Sequence, residues 1–451
     1  MLASLATVGC RKSTEPASSG ASATPPSGEA VSSAVVLKAL DGGPGTPVAV
    51  PPIDAGPPAP KAFVPPKDLN VILLSIDSLR ADMPWAGYER PIAPTLTELE
   101  KTCVSYTKSY SISSYTSMSV GGLLGGRIPS ELIRDGYFFG TYGSKNLFFP
   151  ELLKDAKVRT IGAMAHGYFQ NAGFEQGFET WKLVPGLKWN AQTDENITGK
   201  EHEALAEKLL SDASVTDGRF FAWFHFMDPH DQYLPHPKED INWGRKLRDL
   251  YDGEVTFTDL QVKKFLEFVR SKPWASRTAI IVTSDHGEAL GEHGQYRHGF
   301  ELWQNLVQVP LFFCVPGLAP KHIDAARSAI DLGPTIIDLF GLPKNESFSG
   351  QSLVSEWSET THQDRDIVLD LPATSTNRKR RALIHGTQKI VAIDEPPAYQ
   401  LFDLKEDPGE LKPITKGEAL DEMKGRLKAY ESTLKPLPST VCTKGCLEGT
   451  K

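Results

Sequence analysis

The sequence predicts an α/β fold in which helices sandwich a mostly parallel mixed sheet, followed by a small C-terminal α+β subdomain. Three long apolar runs, rich in β-branched and aromatic residues, predict strands buried on both faces of the sheet. These runs are LNVILLSID from Leu69, FFAWFHFMDPH from Phe220 and TAIIVTSDHGE from Thr278. Amphipathic stretches between them favour helices, namely APTLTELEKT, GKEHEALAEKLLSDA and TDLQVKKFLEFVRS. Strands that alternate with helices indicate a helix-sheet-helix sandwich.

The chain has a different pattern from about Arg365 onward. RDIVLDL, RALIHGTQKIVAI and YQLFDLKED are typical of short antiparallel strands, and GEALDEMKGRLKAYEST favours a final helix. We therefore predict a main domain over residues 67–364 and a C-terminal subdomain and tail over residues 365–451.

The N-terminal region predicts an anchor and a tether. MLASLATVGC, residues 1–10, resembles the end of a bacterial lipoprotein signal, in which Cys10 becomes lipidated, although no basic residue precedes the apolar stretch. Residues 11–66 are rich in Pro, Ala and Ser and predict a disordered linker. The expected location is the cell envelope, lipid-anchored on the periplasmic or outer surface of a bacterium, with membrane contact only through Cys10. The alternative is a frayed N-terminus with an incidental cysteine.

The net charge disfavours nucleic-acid binding, and the spacing of the cysteines disfavours a structural zinc site. Asp and Glu number 56 against 48 Lys and Arg, a formal charge of −8, which disfavours nucleic acid as a partner. The five cysteines form no C-x-x-C pair, so the sequence does not predict a structural zinc site. Cys442 and Cys446 are either a local disulfide or two free thiols.

Two of the predicted strands end in residues that can bind a metal. Asp77 ends the first run, and Asp285 with His286 ends the third. The carboxyl ends of parallel strands meet at one edge of a sheet, where ligands bind. Carboxylate oxygens and imidazole nitrogens both coordinate divalent cations. The alternatives are a helix N-cap for Asp77 and ordinary surface residues for the Asp-His pair.

A run of hydroxyl residues offers a nucleophile. SISSYTSMSVGGLLGGRIP places small hydroxyl side chains before a glycine-rich stretch that favours a helix. A helix N-terminus stabilises an oxyanion and an activated nucleophile. The alternative is a set of capping hydroxyls before an ordinary buried helix. Composition alone does not choose among the candidates, which are Ser113, Ser114, Thr116, Ser117 and Ser119.

Four segments resemble, in order, the motifs of the sulfatase family of the alkaline phosphatase superfamily. They are LNVILLSIDSLRADMPWAGYERPIAPTLTELE, FFAWFHFMDPHDQYLPH, SDHGEALGEHGQYRHGFELWQNLVQVPLFFCVPG and YQLFDLKEDPGE. The resemblance covers the chain from Asp68 to the final helix. It implies a sulfatase-like catalytic domain and a metal-dependent hydrolase of sulfate- or phosphate-type esters, with an anionic ester as substrate.

The resemblance also implies roles for single residues. Asp77, Asp285 and His286 match the ligand positions for one divalent cation (Mg²⁺, Mn²⁺ or Ca²⁺, with Zn²⁺ also possible), and Thr116 is the fourth ligand. His230 and His298 match positions that contact the substrate. Where many relatives have a second Asp, this chain has Ser78. His225 is predicted to be structural and Arg80 to form a salt bridge.

The nucleophile position departs from the family pattern. It falls on Thr116, whereas the family has a Cys or Ser that is converted to formylglycine. Met118 and Val120 stand at the Pro and Arg positions of the same motif. We therefore expect in-line attack by Thr116 with a covalent intermediate, phosphoryl chemistry slightly favoured over sulfate chemistry, and phosphotransfer as a variant. The alternatives are sulfate ester hydrolysis without formylglycine and an inactive, surface-anchored binding protein of the same fold.

Overall fold

A computed structural model of the protein describes residues 62–135, 139–187, 198–374 and 377–437. Most of the predicted signal and linker, including Cys10, lies outside the described residues. Cys442 and Cys446 lie outside them as well, so the N-terminal anchor and the local disulfide stay predictions.

The described residues contain sixteen strands and nine α-helices. In chain order the strands are β1 (Asn70–Ile76), β2 (Val104–Tyr106), β3 (Ser109–Tyr110), β4 (Arg159–Met164), β5 (Thr180–Leu183), β6 (Phe220–Phe226), β7 (Thr278–Thr283), β8 (Ala289–Leu290), β9 (Tyr296–Arg297), β10 (Leu311–Cys314), β11 (Lys321–Ile323), β12 (Arg327–Ser328), β13 (Ile367–Leu371), β14 (Arg380–His385), β15 (Gln388–Ile393) and β16 (Ala398–Asp403). The helices are α1 (Pro94–Glu100), α2 (Thr116–Gly125), α3 (Phe149–Asp155), α4 (Gly199–Ser211), α5 (Ala213–Thr216), α6 (Leu247–Arg270), α7 (Gln304–Val307), α8 (Leu332–Leu339) and α9 (Glu418–Thr433).

The main sheet has eight strands in the order β11-β2-β10-β7-β1-β6-β4-β5. Strand β10 runs antiparallel to both of its neighbours, and the other pairs are parallel. The predicted mostly parallel mixed sheet is therefore confirmed. The three apolar runs become the adjacent strands β6, β1 and β7, so the residues that follow them emerge at one edge of the sheet.

Alternating residues of β1 face two separate cores. Val71 and Leu73 pack in one core with side chains of α2, α3 and α8, whereas Ile72 and Leu74 pack in the other with side chains of α1, α4 and α6. This arrangement confirms the helix-sheet-helix sandwich. Among the described residues, no helix is long and apolar enough to cross a membrane.

Helix α6 begins at Leu247, well before the stretch from Thr258 that the sequence predicted. Its first turns bury polar side chains, which conceal the apolar periodicity of a helix. Asp249 and Asp252 both accept hydrogen bonds from Arg90, each at 2.8 Å. The predicted helix was too short because these turns are stabilised by ion pairs as well as by apolar packing.

The C-terminal strands β13 to β16 form an antiparallel sheet, as predicted. Leu420 and Leu427 of α9 pack with the same core as one face of this sheet. The opposite face packs against Met118 of α2 and against Leu302 and Leu306. The small sheet thus supports α2 and the segment around Leu302.

Cys103, which directly precedes β2, forms a disulfide with Cys314, the last residue of the neighbouring strand β10. The sequence analysis missed this pair because 211 positions separate the two cysteines along the chain. In the loop-entropy description, a disulfide that closes so long a loop stabilises the fold by about 5 kcal/mol, and typical measured values are about 2–4 kcal/mol.

Replacing both cysteines, Cys103→Ala with Cys314→Ala, should lower the free energy of unfolding by about 2–5 kcal/mol. Urea denaturation of the oxidised proteins measures this difference. Adding a reductant should lower the stability of the wild-type protein and leave the double variant unchanged. Equal stabilities of the oxidised proteins would show that the bridge contributes nothing.

Candidate active site

The four residues predicted to bind a metal converge at the carboxyl edge of β1 and β7. Asp77 directly follows β1, Asp285 and His286 follow β7, and Thr116 is the first residue of α2. The Oγ1 atom of Thr116 lies 3.3 Å from Oδ2 of Asp77 and 3.0 Å from Nε2 of His286. The same Nε2 lies 3.4 Å from Oδ2 of Asp285 and 3.7 Å from Oδ1 of Asp77. All four side chains are buried.

A sharp turn after β1 fixes the position of Asp77. Ser78 adopts a left-handed conformation with φ of 58°, which is unfavourable for a residue with a side chain. The hydroxyl of Tyr251 donates to the Ser78 carbonyl at 2.8 Å and accepts from Arg80 N at 3.0 Å. The Ser78 hydroxyl donates to Oδ1 of Asp77 at 2.8 Å. The buried Tyr251 of α6 therefore holds the turn, and the hydroxyl of Ser78 orients the carboxylate of Asp77.

The geometry separates Thr116 from the other hydroxyl candidates. Thr116 contacts the carboxylate and imidazole groups, whereas Oγ of Ser119 bonds to the backbone of Ser113. Among the described residues, the buried hydroxyl oxygens of Ser113, Ser114 and Ser117 have no hydrogen-bond partner. Thr116 is thus the hydroxyl residue of this segment that contacts the predicted metal ligands.

Hydrogen bonding fixes the tautomer of His286. Its Nδ1 lies 2.9 Å from the carbonyl of Gly287, which can only accept, so Nδ1 carries the proton. Burial, and then the nearby His298, lower the pKa of His286 to about 3. The ring is therefore neutral, with the lone pair of Nε2 directed at Thr116. A metal-binding histidine is commonly oriented in this way, by a backbone carbonyl on its other nitrogen.

The two carboxylates are arranged for a cation. Burial, and then the negative charge of Asp77, raise the pKa of Asp285 well above its usual range. Burial also opposes ionisation of Asp77, but a hydrogen bond from His225 and the nearby imidazoles hold its pKa well below the usual range. Within the part of the chain that the structure describes, Oδ2 of Asp285 is buried without a hydrogen-bond partner. These side chains fit a divalent cation, which would neutralise both carboxylates.

His225 is closer to the site than the sequence indicated. It lies inside β6, as predicted, but ligand atoms of Asp77, His225 and Asp285 lie within 4.8 Å of one another. Its Nε2 is 3.3 Å from Oδ2 of Asp77, and its Nδ1 is 2.7 Å from Oγ of Ser75. The indole of Trp223 donates to the same Oγ at 2.7 Å. This chain of hydrogen bonds orients Asp77 from the interior of the sheet, and His225 could also serve as a ligand.

The two histidines predicted to contact the substrate lie beside the carboxylates. The ring of His298 is 4.2 Å from that of His286 and 4.9 Å from that of His230, measured between centroids. Nδ1 of His298 lies 3.2 Å from a carboxylate oxygen of the buried Glu288. Burial lowers the pKa of His298, but Glu288 outweighs this effect and raises it overall. His298 is thus suited to donate a proton, and Glu288 is a site residue that the sequence analysis missed.

Arg80 forms salt bridges, as predicted. Its guanidinium contacts Asp82 at 2.8 Å and Glu292 at 2.7 Å, and it donates to the carbonyl of Glu288 at 2.8 Å. Burial disfavours its charged form, yet the carboxylates raise the pKa of Arg80 above its usual range. Arg80 therefore anchors the hairpin formed by β8 and β9, which leads to His298.

A further buried carboxyl group, that of Asp228, should make the free energy of unfolding depend on pH. Oδ1 of Asp228 accepts from Gly199 N at 2.9 Å, and Oδ2 has no partner among the described residues. Burial, and then the charge of Glu254, raise the pKa of Asp228 from 3.8 to about 7. The folded state thus holds this proton more tightly than the unfolded state does. The stabilisation is fully present below pH 3.8 and is lost as the pH rises through 7.

Asp228→Asn should remove this pH dependence, because the amide stays neutral and keeps an oxygen for Gly199. The variant should gain stability relative to the wild type between pH 4 and pH 7, by on the order of 4 kcal/mol. Urea unfolding at several pH values measures the difference, with the exposed Asp217→Asn as a control. Parallel pH profiles of wild type and Asp228→Asn would show that the prediction is wrong.

Comparison with known proteins identifies the family of this chain. Residues 69–342 match the family described as Sulfatase, and residues 291–435 match the one described as N-sulphoglucosamine sulphohydrolase, C-terminal. A sulfatase of Formosa agariphila is 34% identical over 76% of this chain and 82% of its own length. The chain belongs to the sulfatase family. Arylsulfatase K of Bos taurus is 28% identical over 38% of this chain, which spans only 33% of that relative.

Solved structures share the fold. The phosphonate monoester hydrolase of Agrobacterium radiobacter superposes with a TM-score of 0.66 at 16% identity, over 81% of this chain and 95% of that one. A protein solved with its substrate D-glucosamine-2-N,6-O-disulfate superposes with a TM-score of 0.67 at 17% identity, over 81% and 98% of the two chains. At these identities the likeness concerns the architecture.

Proposed function

We propose that the protein is a metal-dependent hydrolase of sulfate- or phosphate-type esters in which Thr116 is the nucleophile. One observation carries the proposal: Oγ1 of Thr116, at the N-terminus of α2, lies 3.3 Å from Oδ2 of Asp77 and 3.0 Å from Nε2 of His286. A hydroxyl between two acceptors can lose its proton, and the helix N-terminus stabilises negative charge there.

Each residue of the site has its own role in the proposed reaction. Asp77, Asp285 and His286, with Thr116, would hold a divalent cation, which when bound supplies positive charge for the hydroxyl and for an ester oxygen. Thr116 loses its proton to solvent and attacks the central phosphorus or sulfur atom in line, and the bond to the leaving oxygen breaks. His298 donates the proton that this oxygen takes up. Water then attacks the threonine ester and passes one proton back to His298. Phosphate or sulfate is released, and the threonine oxygen takes up a proton from solvent.

Of the two reactions, we favour phosphoryl chemistry over sulfate ester hydrolysis. Threonine cannot be converted to formylglycine, and its alkoxide is a poor leaving group from a sulfated intermediate. The phosphonate monoester hydrolase has a similar fold, and this likeness supports phosphoryl chemistry at the level of architecture alone. Sulfate ester hydrolysis without formylglycine is the second candidate, because the Formosa agariphila relative, 34% identical, is a sulfatase.

Chromogenic esters distinguish these functions. Purified protein loaded with Mg²⁺, Mn²⁺, Ca²⁺ or Zn²⁺ is assayed with 4-nitrophenyl phosphate, its diester, a phosphonate monoester and 4-nitrophenyl sulfate. We expect higher kcat/KM for a phosphorus ester than for the sulfate ester. The reverse order would favour the sulfatase. No metal binding and no turnover would identify an inactive binding protein of the same fold.

We also propose that the protein is exported to the cell envelope and anchored through Cys10. The disulfide between Cys103 and Cys314 supports export, because disulfides persist in oxidising compartments. Palmitate labelling of the full chain in a bacterial host tests the anchor. Cys10→Ala should abolish the label and release the protein from the membrane fraction, and unchanged labelling would refute the assignment.

A further inference from the structure

The hairpin formed by β8 and β9 carries exposed aromatic residues beside the candidate active site. Tyr296 is 63% exposed and Phe300 is 46% exposed. Large apolar side chains exposed together on a soluble protein commonly mark a binding surface. These two lie within two residues of His298 along the chain, which places them next to the proposed proton donor.

A groove connects the two aromatic residues with His298. Its volume is about 180 Å³, and its lining includes Tyr296, Arg297, His298 and Phe300. Since His298 also contacts Glu288 and the ring of His286, one wall of the groove belongs to the active site. His298 is thus shared between the groove and the candidate active site, and a molecule in the groove would lie beside the proposed proton donor.

Arg297 adds a positive charge to the rim. Its guanidinium lies 2.8 Å from a carboxylate oxygen of Asp231, yet 64% of the side chain is exposed. The Asp231 side chain is only 21% exposed and keeps its ion pair, so an anion of the substrate would bind the remaining N–H donors of the Arg297 guanidinium. Gly291 N donates to the Gln295 carbonyl at 2.9 Å, which closes the turn of the hairpin that presents these groups.

We propose that this groove binds the alcohol part of the ester: a ring that packs on Tyr296 and Phe300 and carries an anionic substituent that contacts Arg297. The inference rests on the proposed function, because it assigns the leaving group of the same reaction. Aromatic rings supply a large rigid contact area, and a guanidinium binds carboxylate or sulfate groups in a planar geometry. Tyr296, Phe300 and Arg297 would then determine specificity without taking part in bond breaking.

The double variant Tyr296→Ala with Phe300→Ala tests the ring contact. Its kcat/KM for 4-nitrophenyl phosphate should fall about tenfold, mainly through KM, whereas that for ethyl phosphate should change less than twofold. Val64→Ala is the control, because Val64 is 78% exposed and precedes the opposite end of β1. Equal losses with both esters, or no loss with either, would overturn the proposal.

Arg297→Gln tests the charged contact. The wild type should prefer 4-carboxyphenyl phosphate over phenyl phosphate, and the variant should lose about fivefold of this preference. If the wild type turns over no ester, the proposed function fails. The groove is then tested by calorimetric binding of 4-nitrophenyl phosphate and inorganic phosphate. Tighter binding of the ring compound, lost in the double variant, supports the groove, and equal binding refutes it.

Discussion

Thr116→Ala should lower kcat/KM at least about 1000-fold while the protein stays folded, because it removes the proposed attacking atom and leaves the surrounding carboxylates in place. Asp77 and Asp285 keep most of the metal ligation, so the variant should still bind the cation, with lower affinity. Initial rates with the best ester and calorimetric metal titration provide the two measurements. Circular dichroism and the unfolding midpoint confirm that the fold is intact.

Two control variants separate the nucleophile from its neighbours. Thr116→Ser keeps a hydroxyl at the same position and should retain measurable turnover. Ser114→Ala removes a buried hydroxyl that has no hydrogen-bond partner among the described residues, and it should leave activity nearly unchanged. Full activity of Thr116→Ala would exclude the nucleophile assignment. Loss of activity in Ser114→Ala alone would direct attention to that serine.

The parts of the fold that were predictable share one property: their signal is local. The run NVILLSI of β1 is apolar except for Asn70 and Ser75 because both of its faces are covered, and this pattern is visible in seven consecutive residues. Asp77, Asp285 and His286 were predictable because each follows such a run. Once parallel strands are inferred, their ends must lie close together.

The features that were missed depend on pairs distant in sequence. His225 resembles one polar residue in an apolar strand until the register places it opposite Ser75 of β1. Glu288 and His298 are ten residues apart and meet because the β8–β9 hairpin folds back. The sequence analysis named His298, but nothing in the local sequence distinguishes Glu288 from a surface residue. Pairing of Cys103 with Cys314 likewise requires the neighbouring positions of β2 and β10.

Asp285→Asn should be more stable than the wild type in the metal-free protein and should lose much of this advantage in the metal-loaded protein. Without metal, the wild type buries Asp285 near Asp77, and burial with this repulsion raises the pKa of Asp285. A raised pKa in the folded state means that stability is highest at low pH and falls as the pH rises through that pKa. The neutral amide avoids this loss. The metal-free variant should therefore be more stable than the wild type at neutral pH.

With metal the advantage of the variant should shrink. A cation present at about 100 times its dissociation constant stabilises the wild type by about 2.7 kcal/mol. Loss of one anionic ligand should weaken binding by Asp285→Asn at least about 100-fold, so the variant gains little. Thermal unfolding with a chelator measures the stability difference without metal, and unfolding with excess Mg²⁺ or Mn²⁺ measures the stabilisation by the cation. The exposed Asp217→Asn is the control. An equal metal-induced rise in wild type and variant would show that Asp285 is not a ligand. A variant less stable than the wild type under chelation would show that the two carboxylates do not repel each other.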